Sequence, residues 1–158
     1  GRRHVDLPPL HFADMLVRSN LGVAGLGLEI NFGYWPQGTW PRDLVEIGRL
    51  IDQWSTLGLP LVVYLTIPSD QSPDALAGEL ARPLSHLGLA GPTRNEQKRL
   101  AEAVVPYLLA KSTVHGIVWN QLRDDRPHDF AHGGLFDADG ERKPIVDFLA
   151  DLRRQHLL

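Results

Sequence analysis

Glu29 interrupts an otherwise apolar run, Val23 to Phe32 (VAGLGLEINF), and Asn31 follows two residues later. In an extended segment side chains alternate between faces, so this carboxylate and this amide share one face. A carboxylate among apolar neighbours needs a hydrogen-bond partner or a raised pKa, and it can accept from a ligand hydroxyl; the plainer reading has it facing outward at a strand end or paired with an arginine. Trp119 and Asn120 close a second apolar run, Val114 to Asn120 (VHGIVWN). An indole there offers a flat stacking surface and an N–H that requires an acceptor. Trp35 and Trp40 flank Gln37-Gly38 and make a second candidate platform, although tryptophans in such units more often belong to the core. Trp54, on a helical apolar stripe, reads as core.

Asp124, Asp125, His128, Asp129 and His132 crowd one polar stretch. Neither an H-E-x-x-H nor an EF-hand spacing is present, so a solvated loop is the default, no metal is expected, and Asp124 or Asp125 is left to orient Trp119 or bond a ligand hydroxyl. Gly22, Gly25 and Gly27 lack the G-x-G-x-x-G spacing that cradles phosphate. No G-x-S-x-G elbow occurs, and zero cysteines exclude thiol nucleophiles and disulfides. No cofactor is expected.

These residues belong to a chain of 158 residues, 43% hydrophobic and 22% charged, which fits one globular domain over 1–158. With 16 Lys+Arg against 19 Asp+Glu the net charge is -3, and no basic face is available for nucleic acid. No run approaches the roughly 18 to 20 apolar residues of a membrane span, and Gly1-Arg2-Arg3-His4 does not lead into a signal-type segment. A soluble protein in an undetermined compartment is expected, and the initial Gly suggests a trimmed or excised piece.

Periodicity and punctuation give the elements. Pro8 to Ser19 reads as a helix after Asp6, a candidate cap, and stops at Asn20; Val23 to Phe32 reads as a strand. Thr39-Trp40-Pro41 opens a helix through Leu44, Ile47, Leu50, Ile51 and Trp54 that exits at Gly58. Pro60 to Ile67 (PLVVYLTI) has the length and β-branched composition of a strand covered on both faces. A long aperiodic loop follows. Thr93 and Glu96 then make a capping-box pattern for a helix in which Pro106 predicts a kink or early end. After the Val114 to Asn120 strand, Gln121 to Gly140 reads as a second long loop, and Lys143-Pro144 opens a last helix.

Strands alternating with helices of this length imply parallel pairing through right-handed crossovers, hence an α/β class. Three strands cannot close a (β/α)8 barrel, so the chain is either a small open sheet or the C-terminal part of a barrel. Either way the site lies at the carboxyl ends of the strands, where residues 29–40, 64–70 and 119–132 converge.

The run GLGLEINFGYWPQGTWPRDLVEIGRLIDQWSTLGLPLVVYLTIPS resembles the sixth and seventh strands of glycoside hydrolase family 10 xylanases. VHGIVWNQLRDD with GGLFDADGERKPIVDFLADLRR resembles their eighth strand and closing helix. The resemblance implies a TIM-barrel portion, strands six to eight, and an oligosaccharide or polysaccharide ligand. It places Glu29 where the family carries a substrate-facing Gln, Asn31 where it often has His, and Trp119 and the Trp35/Trp40 pair as sugar platforms, with Asn120 and Asp124 beside them. A retaining glycosidase needs two carboxylates about 5 to 5.5 Å apart. The family's acid/base follows a strand absent here, and its nucleophile Glu corresponds to Tyr64 or Leu65. Glu29 and Tyr64 are therefore the weak catalytic candidates of a chain expected to have lost turnover. The alternatives are a non-catalytic glycan-binding or protein-interaction domain, with another chain or segment completing the barrel.

Overall fold

The computed structural model describes residues 7–36, 38–39, 43–85 and 91–156. In chain order the elements are α1 (Pro9–Arg18), β1 (Leu26–Asn31), β2 (Tyr34–Pro36), α2 (Leu44–Ser55), β3 (Leu61–Thr66), β4 (Ala77–Pro83), α3 (Arg94–Leu109), β5 (Val114–Trp119), β6 (His128–Phe130) and α4 (Pro144–His156). Asp6, the candidate cap of α1, and Trp40, the candidate platform, lie outside the described residues.

Local chemistry explains the helix ends. The side chain of Asp43 accepts from the Glu46 N–H at 2.8 Å and starts α2, and Gly58, at φ +70°, provides the left-handed exit. Thr93 accepts from the Glu96 N–H at 3.1 Å, the expected cap of α3. The Glu96 carboxylate does not return to Thr93; it pairs with Arg99. Pro106 neither ends nor shortens α3, which runs on to Leu109.

The three expected strands form one parallel sheet in the order β1-β3-β5. Leu61, Val63 and Leu65 of β3 are all 0% exposed, and with Leu28 and Ile30 of β1 they face Ile47 and Ile51 of α2, Val104 and Leu108 of α3, and Ile145 of α4. Glu29 pairs in register with Tyr64, and Tyr64 with Val118. Their face is the one a closed barrel turns inward. Here it is open, with Tyr64 39% and Val118 43% exposed.

The two long loops are not structureless. The first contains β4 and the second contains β6, and with β2 they make a second sheet in the order β2-β4-β6, with β2 and β4 antiparallel and β4 and β6 parallel. Strands of three residues carry no readable period, and β4 (AGELARP) has a Gly and a terminal Pro that read as loop punctuation. No helix among the described residues is long and apolar enough to cross a membrane.

Candidate site at the strand carboxyl ends

Glu29 is gripped by two amides from different strands. Its Oε1 accepts from Asn31 Nδ2 at 2.9 Å and from Asn120 Nδ2 at 2.9 Å. The first contact is the shared face expected from alternation, and the second bridges β1 to the end of β5 across β3. Because both donors address one oxygen, Oε2 is left without a protein donor among the described residues. Tyr64 stands beside Glu29 in register and lays its ring against Gly27, where a Cβ would come within 3.0 Å of the ring. Leu65, the other residue that could occupy the nucleophile position, points into the core at 0% exposure. A depression of about 530 Å³ opens next to Glu29, lined also by Asn120, Arg126, His128, Asp129 and Phe130.

Thr66, which sequence reasoning did not single out, joins this set. It is 0% exposed and pairs in register with Asn31, and Thr66 Oγ1 and Asn31 Oδ1 both lack a hydrogen-bond partner among the described residues. Unpaired buried polar atoms are uncommon in folded proteins. A lone threonine ending an apolar strand gave no signal that would have marked it.

Trp119 stands on the other face from the platform expected of it, and Asp124 takes the first of its two expected roles, orienting Trp119 through the backbone. Trp119 is in register with Leu65, on the helix-covered face of the sheet and away from Glu29. Its Nε1–H donates to the Gly133 carbonyl at 2.8 Å, and its ring packs beside the core in an apolar groove with Val105, Ile117, Leu149 and Leu152. The strand period decides this: Asn120, one residue on, takes the inner face. Asp124 is 3% exposed, with Oδ1 accepting from Gln121 Nε2 at 2.8 Å and the Gly134 N–H at 2.7 Å, and Oδ2 from Lys143 Nζ at 2.6 Å. Three donors thus tie this carboxylate into the framework. It fixes the 133–134 backbone whose carbonyl holds Trp119. Burial pushes the Lys143 ammonium below the ordinary lysine range, only partly offset by the Asp124 carboxylate.

Residues 131–134 are a hub. The Ala131 carbonyl accepts from Tyr34 Oη at 2.9 Å, and the His132 carbonyl from the Ser69 N–H at 3.1 Å, Ser69 Oγ at 3.0 Å and Lys143 Nζ at 3.1 Å. Burial, reinforced by the negative charges of Asp124 and Asp74, holds the Tyr34 hydroxyl well above its ordinary range, so it remains a donor. His128 and His132, members of the acidic and histidine-rich stretch, turn to the first long loop: His128 Nε2 lies 2.9 Å from Asp74 Oδ2, and His132 Nε2 lies 2.8 Å from the Ser72 carbonyl. Among the described residues no three His, Asp or Glu side chains converge as a metal-ligand set. Trp35, on β2, is 56% exposed and opposite Arg82.

No protein-family model and no curated protein matches the sequence. Solved structures do match. A β-glucuronidase from Faecalibacterium prausnitzii superimposes with a TM-score of 0.57 at 15% identity, over 84% of this chain and 22% of that one. The fold is that of part of a (β/α)8 barrel. A β-glucuronidase from Lactobacillus rhamnosus gives a TM-score of 0.55 at 19% identity over 81% of this chain and 22% of its own. One from Ruminococcus gnavus gives 0.53 at 18% over 80% and 22%. This chain thus spans about a fifth of the length of the enzymes it matches, at 22% of each. Its β1-β3-β5 sheet is an arc of parallel βα units and not a closed barrel. At these identities the likeness carries the fold and leaves the family-10 resemblance as a reading of the sequence.

Proposed function

We propose that this chain is the C-terminal portion of a glycoside hydrolase-type barrel whose strand ends bind a glycan, xylan-like on the family-10 reading, without hydrolysing it. The observation that carries the reading is Glu29: two amides fix one carboxylate oxygen at the carboxyl end of the sheet, leaving the other to accept from a sugar hydroxyl. A fixed acceptor loses little side-chain entropy when a hydroxyl arrives, which favours binding. Trp35 adds an exposed indole on β2, suited to stack on the apolar face of a pyranose. Trp119 and Asp124 serve by holding the 131–134 hub in place.

Turnover needs more than Glu29. Covalent glycosidase chemistry requires a nucleophile and an acid/base on opposite sides of the scissile bond. On the family-10 reading the nucleophile position falls to Tyr64 or Leu65, neither of which brings a carboxylate, and Asp124 is committed to Lys143. The remaining strands of a barrel, on another segment or chain, would have to supply the acid/base. A protein-interaction role is the second reading, favoured by the exposed Tyr64 and Val118 on the inner face.

Titration with xylo-oligosaccharides, followed by tryptophan fluorescence, tests this. Dissociation constants near about 1 mM are expected, of which one stacking contact supplies on the order of 1 kcal/mol, so Trp35→Ala should weaken binding about fivefold and Glu29→Gln should weaken it too. Xylan and aryl β-xylosides should remain intact. Robust hydrolysis abolished by Tyr64→Phe would replace the binding reading with a catalytic one, and the absence of any sugar-dependent signal would leave the interaction reading.

A further inference from the structure

The His128 ring sits in a cage that only a doubly protonated imidazole satisfies. Its Nδ1 lies 2.6 Å from the Arg126 carbonyl oxygen and its Nε2 lies 2.9 Å from Asp74 Oδ2, with the two side chains 5% and 9% exposed. A carbonyl oxygen can only accept, and so can an ionised carboxylate. Asp74 is ionised here: burial pushes its carboxyl up, but the N–H groups of Leu76 and His132 and the His128 ring outweigh this and hold it below its ordinary range. A neutral imidazole has one N–H and would set its other lone pair against an oxygen lone pair. Both ring nitrogens must therefore donate.

We propose that His128 is a proton-operated latch that clamps β6 and the 131–134 hub to the first long loop and so sets the outer wall of the depression beside Glu29. The clamp joins segments that the backbone pairs only sparsely, since β4 and β6 share the register pairs Ala77↔His128 and Ala81↔Phe130 with an irregularity between them. Asp74 also receives the His132 N–H at 3.2 Å, so one carboxylate ties His128 and the hub together. The charged and titratable groups around the ring are Asp74 from the first long loop, His132 from the hub, and Arg126 and Asp129 in its own segment; Asp70 faces His132, and Glu29 and Arg123 line the same depression. From β4 the approach is backbone, with Gly78 against residues 128 and 129. When His128 gives up a proton, one of its two contacts becomes repulsive and the wall loosens. The latch is thus closed while both ring nitrogens carry a proton and opens when one of them is given up.

The latch follows from ring geometry, whereas its effect on sugar access rests on the carbohydrate reading above. Nitrogen-15 NMR of the histidine rings in the full chain tests the latch directly. At about pH 6 both His128 ring nitrogens should carry a proton, and between about pH 6 and pH 9 the amides of 128–132 should exchange on the order of ten- to a hundredfold faster, beyond the intrinsic effect of pH on exchange. In His128→Gln, which cannot donate to both acceptors, exchange there should be fast at either pH. A neutral single tautomer at about pH 6, or protection at 128–132 unchanged across that range in the wild-type chain, would overturn the proposal. Xylo-oligosaccharide titration at the same two pH values separates the claims: an opening latch with no sugar signal at either pH refutes the sugar reading and supports the latch.

Discussion

The Asp124–Lys143 pair shows how much of the site's framework rests on a few polar residues. Both side chains are essentially enclosed, at 3% and 1% exposure, and each holds a second contact in the hub. Removing one member of a buried pair strands the other charge, so Lys143→Met should lower stability by about 3 to 5 kcal/mol in urea unfolding. Adding Asp124→Leu should recover only part, because the Gln121 and Gly134 donors are still orphaned. Proton linkage gives a second expectation. Asp137 is buried, which pushes its carboxyl up, but the Glu141 N–H, Arg94 and the Asp139 N–H together hold it below its ordinary value. Asp74 is lowered in the same sense. A carboxyl lower in the folded than in the unfolded chain adds stability that is fully present above about pH 4 and is lost as the pH falls through its folded value. Unfolding below about pH 4 should therefore flatten in Asp137→Asn; an unchanged acid limb would show that these contacts do not govern it. Of these residues, the sequence made Glu29 and Asn31 legible because strand alternation is a short-range rule. It put Trp119 on the wrong face and left the Lys143 partner of Asp124 unread, because these depend on Gly133 and Lys143, contacts that only the folded chain creates.

At the scale of elements, the sequence marked what is periodic or punctuated. β3 and β5 carried composition, α2 its exit and α3 its cap, so their existence and order were readable from Gly58 and Thr93; the start of α2 was expected at Thr39-Trp40-Pro41, whereas Asp43 caps a helix that begins at Leu44. The second sheet was not, since its identity lies in pairing between β2, β4 and β6 and hardly at all in their own residues. Thr93→Ala should cost about 1 kcal/mol through loss of the α3 cap, seen as a fall in the urea midpoint without a change in slope. Gly134→Ala should do more, and locally. A Cβ there would fall within 2.4 Å of Asp124 Oδ1 and 3.0 Å of the Arg123 carbonyl carbon, neither of which can retreat without breaking the Lys143 pair or the turn. The indole N–H of Trp119 would then lose its fixed acceptor, and its NMR resonance should shift and broaden. A sharp, unshifted Trp119 indole signal in a stably folded Gly134→Ala chain would show that the hub does not hold the ring.

At the scale of the molecule, the arc of three strands has an architectural consequence. β1 and β5 are the sheet's edges and have no further partner in it, and the inner face exposes Tyr64 and Val118. Phe12 and Met15 of α1 are also 55% and 59% exposed. Unpaired edges beside apolar side chains favour pairing with another chain unless something covers them. A closed barrel has no edges, so the remaining βα units of a barrel would bury this face and these edges together. The isolated 158-residue chain should therefore self-associate, with a weight-average mass in sedimentation that rises with concentration. Val118→Lys, which puts a charge on the inner face without touching the Leu61, Val63 and Leu65 core, should shift that equilibrium toward the monomer. A well-folded wild-type monomer persisting at high concentration would mean that the arc is self-sufficient and that the missing units are not needed to protect it.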